Sequence, residues 1–209
     1  MNTLRKTILL FLLITLAGIY NPISAQEQKS ISQIRKDNLI KLLNYRFKGG
    51  YYSFEKIFTQ SVEYPPMAKG NCIMGIAVIS FRVNCEGVAY DIKNKTPLGY
   101  GIDGEISKFF TNTVGMWNTC HDDKYTRFEV PIQFKLSGTI TNTEDALLVI
   151  EEDNPGYLCN DDEYYIGKME KYLEKGKQKK ALQYIEIMVR RDPYNSYYQD
   201  LRKKILGIE

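Results

Sequence analysis

The sequence predicts an α+β chain: a small three-stranded antiparallel sheet with helices packed on it, followed by an α-helical hairpin. Three observations carry this. Residues 72–83 and 128–136 alternate apolar and polar positions at the strand period, with a hairpin signal directly after the first of them. Residues 53–62 and 103–117 instead repeat apolar residues at the helical period. From Asp161 onward the period is helical and stays so.

The chain opens on Arg5 and Lys6, an apolar run from Ile8 to Tyr20, a break at Asn21-Pro22, and the small-residue site Ile23-Ser24-Ala25. This is the pattern of a secretory signal peptide over residues 1–25, cleaved after Ala25, which places the mature chain in the periplasm. An uncleaved anchor is the alternative, disfavoured because the run is short for a bilayer. Residues 1–25 hold Arg5, Lys6 and no acid, so their loss takes the net charge from +3 to +1. So balanced a chain lacks the electrostatic footprint of a nucleic-acid binder. Hydrophobic residues make up 44% of it, enough for a packed core.

Residues 26–50 read as a helical lead, with Ile31, Ile34, Leu39, Leu42 and Leu43 on one imperfect face and Gly49-Gly50 ending it. Ser53 is the expected N-cap of the next helix, which buries Phe54, Ile57, Phe58 and Val62 and stops at Tyr64-Pro65-Pro66. In the strand over Cys72–Val83, Ala77, Ile79, Phe81 and Val83 form an apolar face aimed at the core. Asn84-Cys85-Glu86-Gly87 is a turn, and Val88–Lys93 returns antiparallel. Asp103 is the expected cap of a helix carrying Ile106, Phe109, Phe110, Val114 and Trp117, and ending at Trp117. The last strand runs from Phe128 to Leu136, with Pro131 marking an edge position or a bulge. Residues 139–160 read as a polar linker containing one short strand or helix around Ala146–Ile150.

Four cysteines in an exported chain suggest disulfides. Cys85 in the hairpin turn and Cys120 in the loop re-entering the sheet lie at the same end, which predicts a Cys85–Cys120 bond. Cys72 and Cys159 pair only if the linker folds back; two free thiols are the alternative. No Cys-x-x-Cys occurs, which disfavours thioredoxin-like chemistry and a zinc knuckle.

Taken together, Phe54, Tyr64-Pro65-x-x-Ala68, the strand and hairpin ending at Gly87, Trp117, and Pro131-x-x-Phe134 resemble the TonB C-terminal domain of the Bacteroidota type. The pattern spans Tyr51 to Gly138. The resemblance implies a small α+β domain that binds proteins in the periplasm; in energy transducers it grips a peptide of an outer-membrane receptor by adding it to a sheet edge. The chain departs from a transducer in lacking a long proline-rich spacer, with 7 scattered prolines, and in carrying Asn118-Thr119-Cys120 after Trp117.

Tyr165, Tyr172, Gly176, Ala181, Ile185 and Pro193 are spaced as in one tetratricopeptide repeat over residues 161–209, a resemblance that implies a helical pair closed by a further helix. One repeat cannot bury its own face, so this one is expected to pack on the preceding domain, on a copy of itself or on a partner.

Reactive constellations are sparse. His121, in Cys120-His-Asp-Asp123, is the single histidine and has too few convergent neighbours for a metal or a catalytic set. The clusters Glu151-Glu152-Asp153 and Asp161-Asp162-Glu163 read as solvated linker rather than paired catalytic carboxylates. No phosphate-cradling loop, cofactor motif or small-molecule site is evident. The expectation is therefore a non-enzymatic interaction module whose partner is an envelope protein, with an outer-membrane receptor as one candidate. The alternatives are a component of TonB-dependent transport and, of another class, an envelope hydrolase working through His121.

Overall fold

The computed structural model describes residues 29–120, 125–141 and 144–208. Residues 1–25, where a signal peptide is expected, and His121 lie outside the described residues. Ile31–Glu209 form one compact unit.

Helix α1 (Ile31–Arg46) ends before Gly49, whose positive φ of 82° leads directly into α2 (Gly50–Ser61). The cap expected at Ser53 is not formed. Asn44 Oδ1 accepts the Tyr51 N–H at 2.8 Å, taking up an orphan donor of the first turn, and the N-cap is Gly49 instead of Ser53, so α2 starts four residues earlier. Pro66 opens the short α3 (Pro66–Gly70), where its missing N–H costs nothing. Strands β1 (Gly75–Val83) and β2 (Ala89–Asn94) form the hairpin. Helix α4 (Ile102–Thr111) is shorter than predicted. The chain turns at Gly115 (φ 77°), leaves Val114 exposed, and reaches Trp117 as an extended bridge to Phe47. Asp103 is not its N-cap; the Asp103 carboxylate accepts the N–H groups of Leu98 and Gly99 from the preceding loop.

The sheet has four strands, not three, and is partly parallel. Strand β3 (Thr126–Leu136) pairs antiparallel with β1, and β4 (Leu148–Glu152) adds to its other side in parallel, giving the order β2-β1-β3-β4. The fourth strand comes from Ala146–Ile150, whose apolar residues sit in polar surroundings: Leu148 and Ile150 drop into the core beside Ile132 and Phe134. Pro131 lies within β3 rather than at a bulge. Val78, its partner on β1, turns its N–H to Thr96 and its C=O to Lys95, so no ladder bond to Pro131 is lost. On the other side Pro131 stands just before the β4 pairing begins, and its carbonyl accepts the Leu147 N–H at 2.9 Å.

One face of the sheet carries Ala77, Ile79, Phe81, Phe128, Val130 and Phe134 against α1, α2 and α4. Its centre is aromatic: Phe81 stacks on Phe128 at 4.9 Å between ring centroids, and both lie 5.4 Å from the Trp117 ring. Burying side chains of this size contributes roughly 1.5–3 kcal/mol each.

Helices α5 (Asp162–Glu174), α6 (Gln178–Arg191) and α7 (Ser196–Leu206) form the terminal bundle. Asp161 caps α5 through the Tyr164 N–H, and Asn195 caps α7 through those of Tyr197 and Tyr198. Gly176 takes positive φ (65°) in the tight turn between α5 and α6. The end of α6 packs directly on the start of β1 at Gly75. Ile76, Val78 and Gln133, on the second face of the sheet, are buried. The sheet thus has helices on both faces.

Candidate functional site

The motif residues sort into framework. Tyr64 is buried, stacks edge-on against Phe134 at 5.4 Å, and donates its hydroxyl to Ile73 O at 2.6 Å. Burial pushes its phenol well above the usual tyrosine range. Pro65 precedes α3 in extended conformation, and Ala68 is fully buried beneath it. Gly87 has φ 77°, and a Cβ there would lie 2.6 Å from Trp117 O, so only glycine lets the hairpin pass that close. Trp117 is 2% exposed and donates Nε1–H to Thr113 Oγ1 at 2.9 Å, which makes it a core residue and not a docking platform. Phe134 is fully buried on β3. In the helical bundle Ala181 and Ile185 are fully buried, Tyr165 and Tyr172 pack at the margin of that cluster, and Pro193 follows α6.

Two disulfides flank the sheet. Cys85–Cys120 closes the hairpin end, where Cys120 N–H also bonds to Cys85 O at 3.0 Å. Cys72–Cys159 ties the residue just before β1 to the segment leading into α5, with Cα atoms 5.5 Å apart. The linker does fold back, and β4 is what turns it. Two disulfides fit an extracytoplasmic location. Among the described residues no helix is long and apolar enough to cross a membrane.

Sequence reasoning missed Arg46. Its guanidinium is 1% exposed and donates to Thr126 Oγ1 at 2.5 Å, Asn84 O at 2.7 Å and Asn118 O at 3.2 Å. It thereby joins α1, the hairpin and both ends of the loop leading into β3. An arginine at the end of a helical stripe gave no signal distinguishing it from a solvated cap. A second buried arginine, Arg191, lies with Nε 2.7 Å from Asp162 Oδ1, within ion-pair range though without hydrogen-bond alignment, and donates Nη1–H to Asn160 O at 3.1 Å.

Among the described residues no three His, Cys, Asp or Glu side chains group to hold a metal. The two sheet edges differ. Strand β2 is irregular: its register with β1 shifts between Ser80 and Arg82, and Asp91 has φ 53°. Asp91 is also held by Lys93 at 2.6 Å and Arg82 at 3.4 Å, and the Lys93 ammonium lowers its carboxyl below the usual range. Bulge and charge are the devices that blunt an edge against further pairing. Strand β4 carries neither bulge nor proline. Ser137 donates its N–H to Glu152 O at 2.8 Å, and the register sets Leu136 beside Glu152. Leu148, Ile150 and Glu152 therefore turn their backbone toward β3, and by the alternation of a strand Val149 and Glu151 aim their N–H groups outward. Val149 is 37% exposed. Lys135–Glu151 (2.9 Å) and Lys69–Glu152 (3.4 Å) pin the end of the strand.

No protein-family model and no curated protein matches the chain. Among solved structures it is similar to the NMR solution structure of the Helicobacter pylori TonB-CTD, with 19% identity over 39% of this chain and 88% of that chain, and a TM-score of 0.33.

Proposed function

We propose that this chain is a non-enzymatic interaction module of the periplasm that captures an extended segment of another envelope protein along the open edge of β4. The observation that carries the reading is the contrast between the two edges. With helices on both faces of the sheet, its edges are where unpaired backbone remains, and of the two only β4 is regular. Strand addition supplies affinity through main-chain hydrogen bonds and selectivity through alternate side chains. The resemblance of Tyr51–Gly138 to TonB C-terminal domains suggests the class of partner, an outer-membrane receptor with an exposed peptide.

The test is capture of a partner from envelope extract by the oxidised chain, followed by hydrogen exchange on the complex. Slowed exchange at Val149 and Glu151 supports edge capture. Protection confined to β2, or to α5–α7, overturns it.

A further inference from the structure

The terminal helices carry a feature that edge capture does not use. Tyr164, Lys168 and Tyr172 recur at four-residue intervals along α5, and Lys180 and Tyr184 share that spacing on α6, so each set lines one face of its helix. The two sets meet. The Tyr172 and Tyr184 rings stack at 5.5 Å with planes 16° apart, and Tyr164 lies against Tyr165 at 5.5 Å. Lys168 sits 5.1 Å over the Tyr164 ring and Lys180 sits 5.5 Å over that of Tyr172. Desolvation raises the Tyr184 phenol, with Tyr172 and Tyr164 adding to the effect and Lys168 opposing it, as expected of one contiguous group. Among the described residues neither lysine has a carboxylate partner.

Tyr165, whose ring touches that of Tyr164, also lines, with Ile187, a cavity of about 210 Å³ between the helices and the start of the sheet. Asn71, Tyr100 and Arg190 stand at that cavity, and no carboxylate lines it. Pockets for drug-sized ligands run to roughly 300–1,000 Å³, so this one suits a single terminal unit of a longer chain. Half-exposed tyrosine rings present flat apolar faces next to hydrogen-bonding edges. The C–H faces of sugar rings complement them, and sugar carboxylates complement Lys168, Lys180 and Arg190.

We propose that the Tyr164–Tyr172–Tyr184 face, with Lys168, Lys180 and the cavity at Tyr100 and Arg190, binds an acidic saccharide chain, end unit in the cavity and following rings across the tyrosines. The occupant is a soluble uronic-acid-type glycan. Its binding is independent of the β4 edge.

Calorimetric titration at low salt tests this on the oxidised full chain with three probes: hexagalacturonate, neutral maltohexaose and hexaglutamate. Hexagalacturonate is expected to bind at least tenfold tighter than either of the others. The exposed-site variant Tyr164→Leu should weaken it several-fold, the pair Tyr172→Leu and Tyr184→Leu about tenfold by loss of ring contacts, and the pair Lys168→Gln and Lys180→Gln by a similar factor. An unchanged thermal midpoint in Tyr164→Leu separates lost binding from lost folding. Absence of hexagalacturonate binding at millimolar concentration overturns the proposal. So does equal binding of maltohexaose, or hexaglutamate binding equally with no sensitivity to the tyrosine substitutions.

Discussion

Gly75 and Arg191 touch backbone to backbone: a Cβ added to Gly75 would lie 2.7 Å from Arg191 Cα. The first residue of β1 therefore sets how closely the C-terminal end of α6 approaches the sheet. Gly75 also holds φ at 148°, a region that side-chain-bearing residues avoid. Gly75→Ala is expected to lose roughly 2–4 kcal/mol through strain and overpacking. Urea unfolding measures the loss, and hydrogen exchange should speed up first in α6.

Arg46 offers a second test. Replacing it by methionine keeps most of the side-chain volume but leaves the carbonyl oxygens of Asn84 and Asn118 without their donor. Buried acceptors stranded in this way cost about 1–3 kcal/mol each. Arg46→Met should lower stability by about 2–4 kcal/mol, read from the denaturant midpoint, with the hairpin end loosening while the helical bundle stays protected.

Cys72–Cys159 closes a long loop, with a sequence separation of 87. The double substitution Cys72→Ser and Cys159→Ser should cost about 2–5 kcal/mol, more than an average bond, because the released loop is long. Thermal unfolding with and without reductant checks this. The reduced natural chain and the oxidised variant should bracket the effect.

Alkaline pH should destabilise the fold. Burial raises the Tyr194 phenol from about 10 to about 12, and burial likewise raises that of Tyr64. Each folded-state value lies above its unfolded value, so the unfolded chain releases these protons first. Stability is then full below about pH 10 and declines as pH rises through the window up to about 12. Unfolding midpoints measured across that window should fall, and Tyr194→Phe should flatten the slope.

Much of the core was legible because its residues obey one period each. Ala77, Ile79, Phe81 and Val83 alternate, as do Phe128, Val130, Ile132 and Phe134, and all eight are buried together. Helix limits were less legible. Val114 and Trp117 continue the stripe of α4 in spacing, yet Gly115 turns the chain and only Trp117 is buried. The fourth strand was ambiguous because five apolar residues are too few to show a period; its pairing with β3 is decided by the core it completes. The buried Arg46 and the meeting of Tyr172 with Tyr184 depend on tertiary neighbours, which no local pattern encodes. Contrast between the two edges was hidden for the same reason: a bulge at Asp91 is a property of pairing, not of the residues Ala89–Asn94 alone.

The covalent tie between Cys72 and Cys159 spans the connection from β3 to β4, which exposes Ile140. A protease that nicks this connection would cut the chain into two pieces without releasing either. On a denaturing gel the clipped protein should run as one band until reductant is added, then as two. Such a molecule would outlast a backbone break that would dismantle an unbridged one.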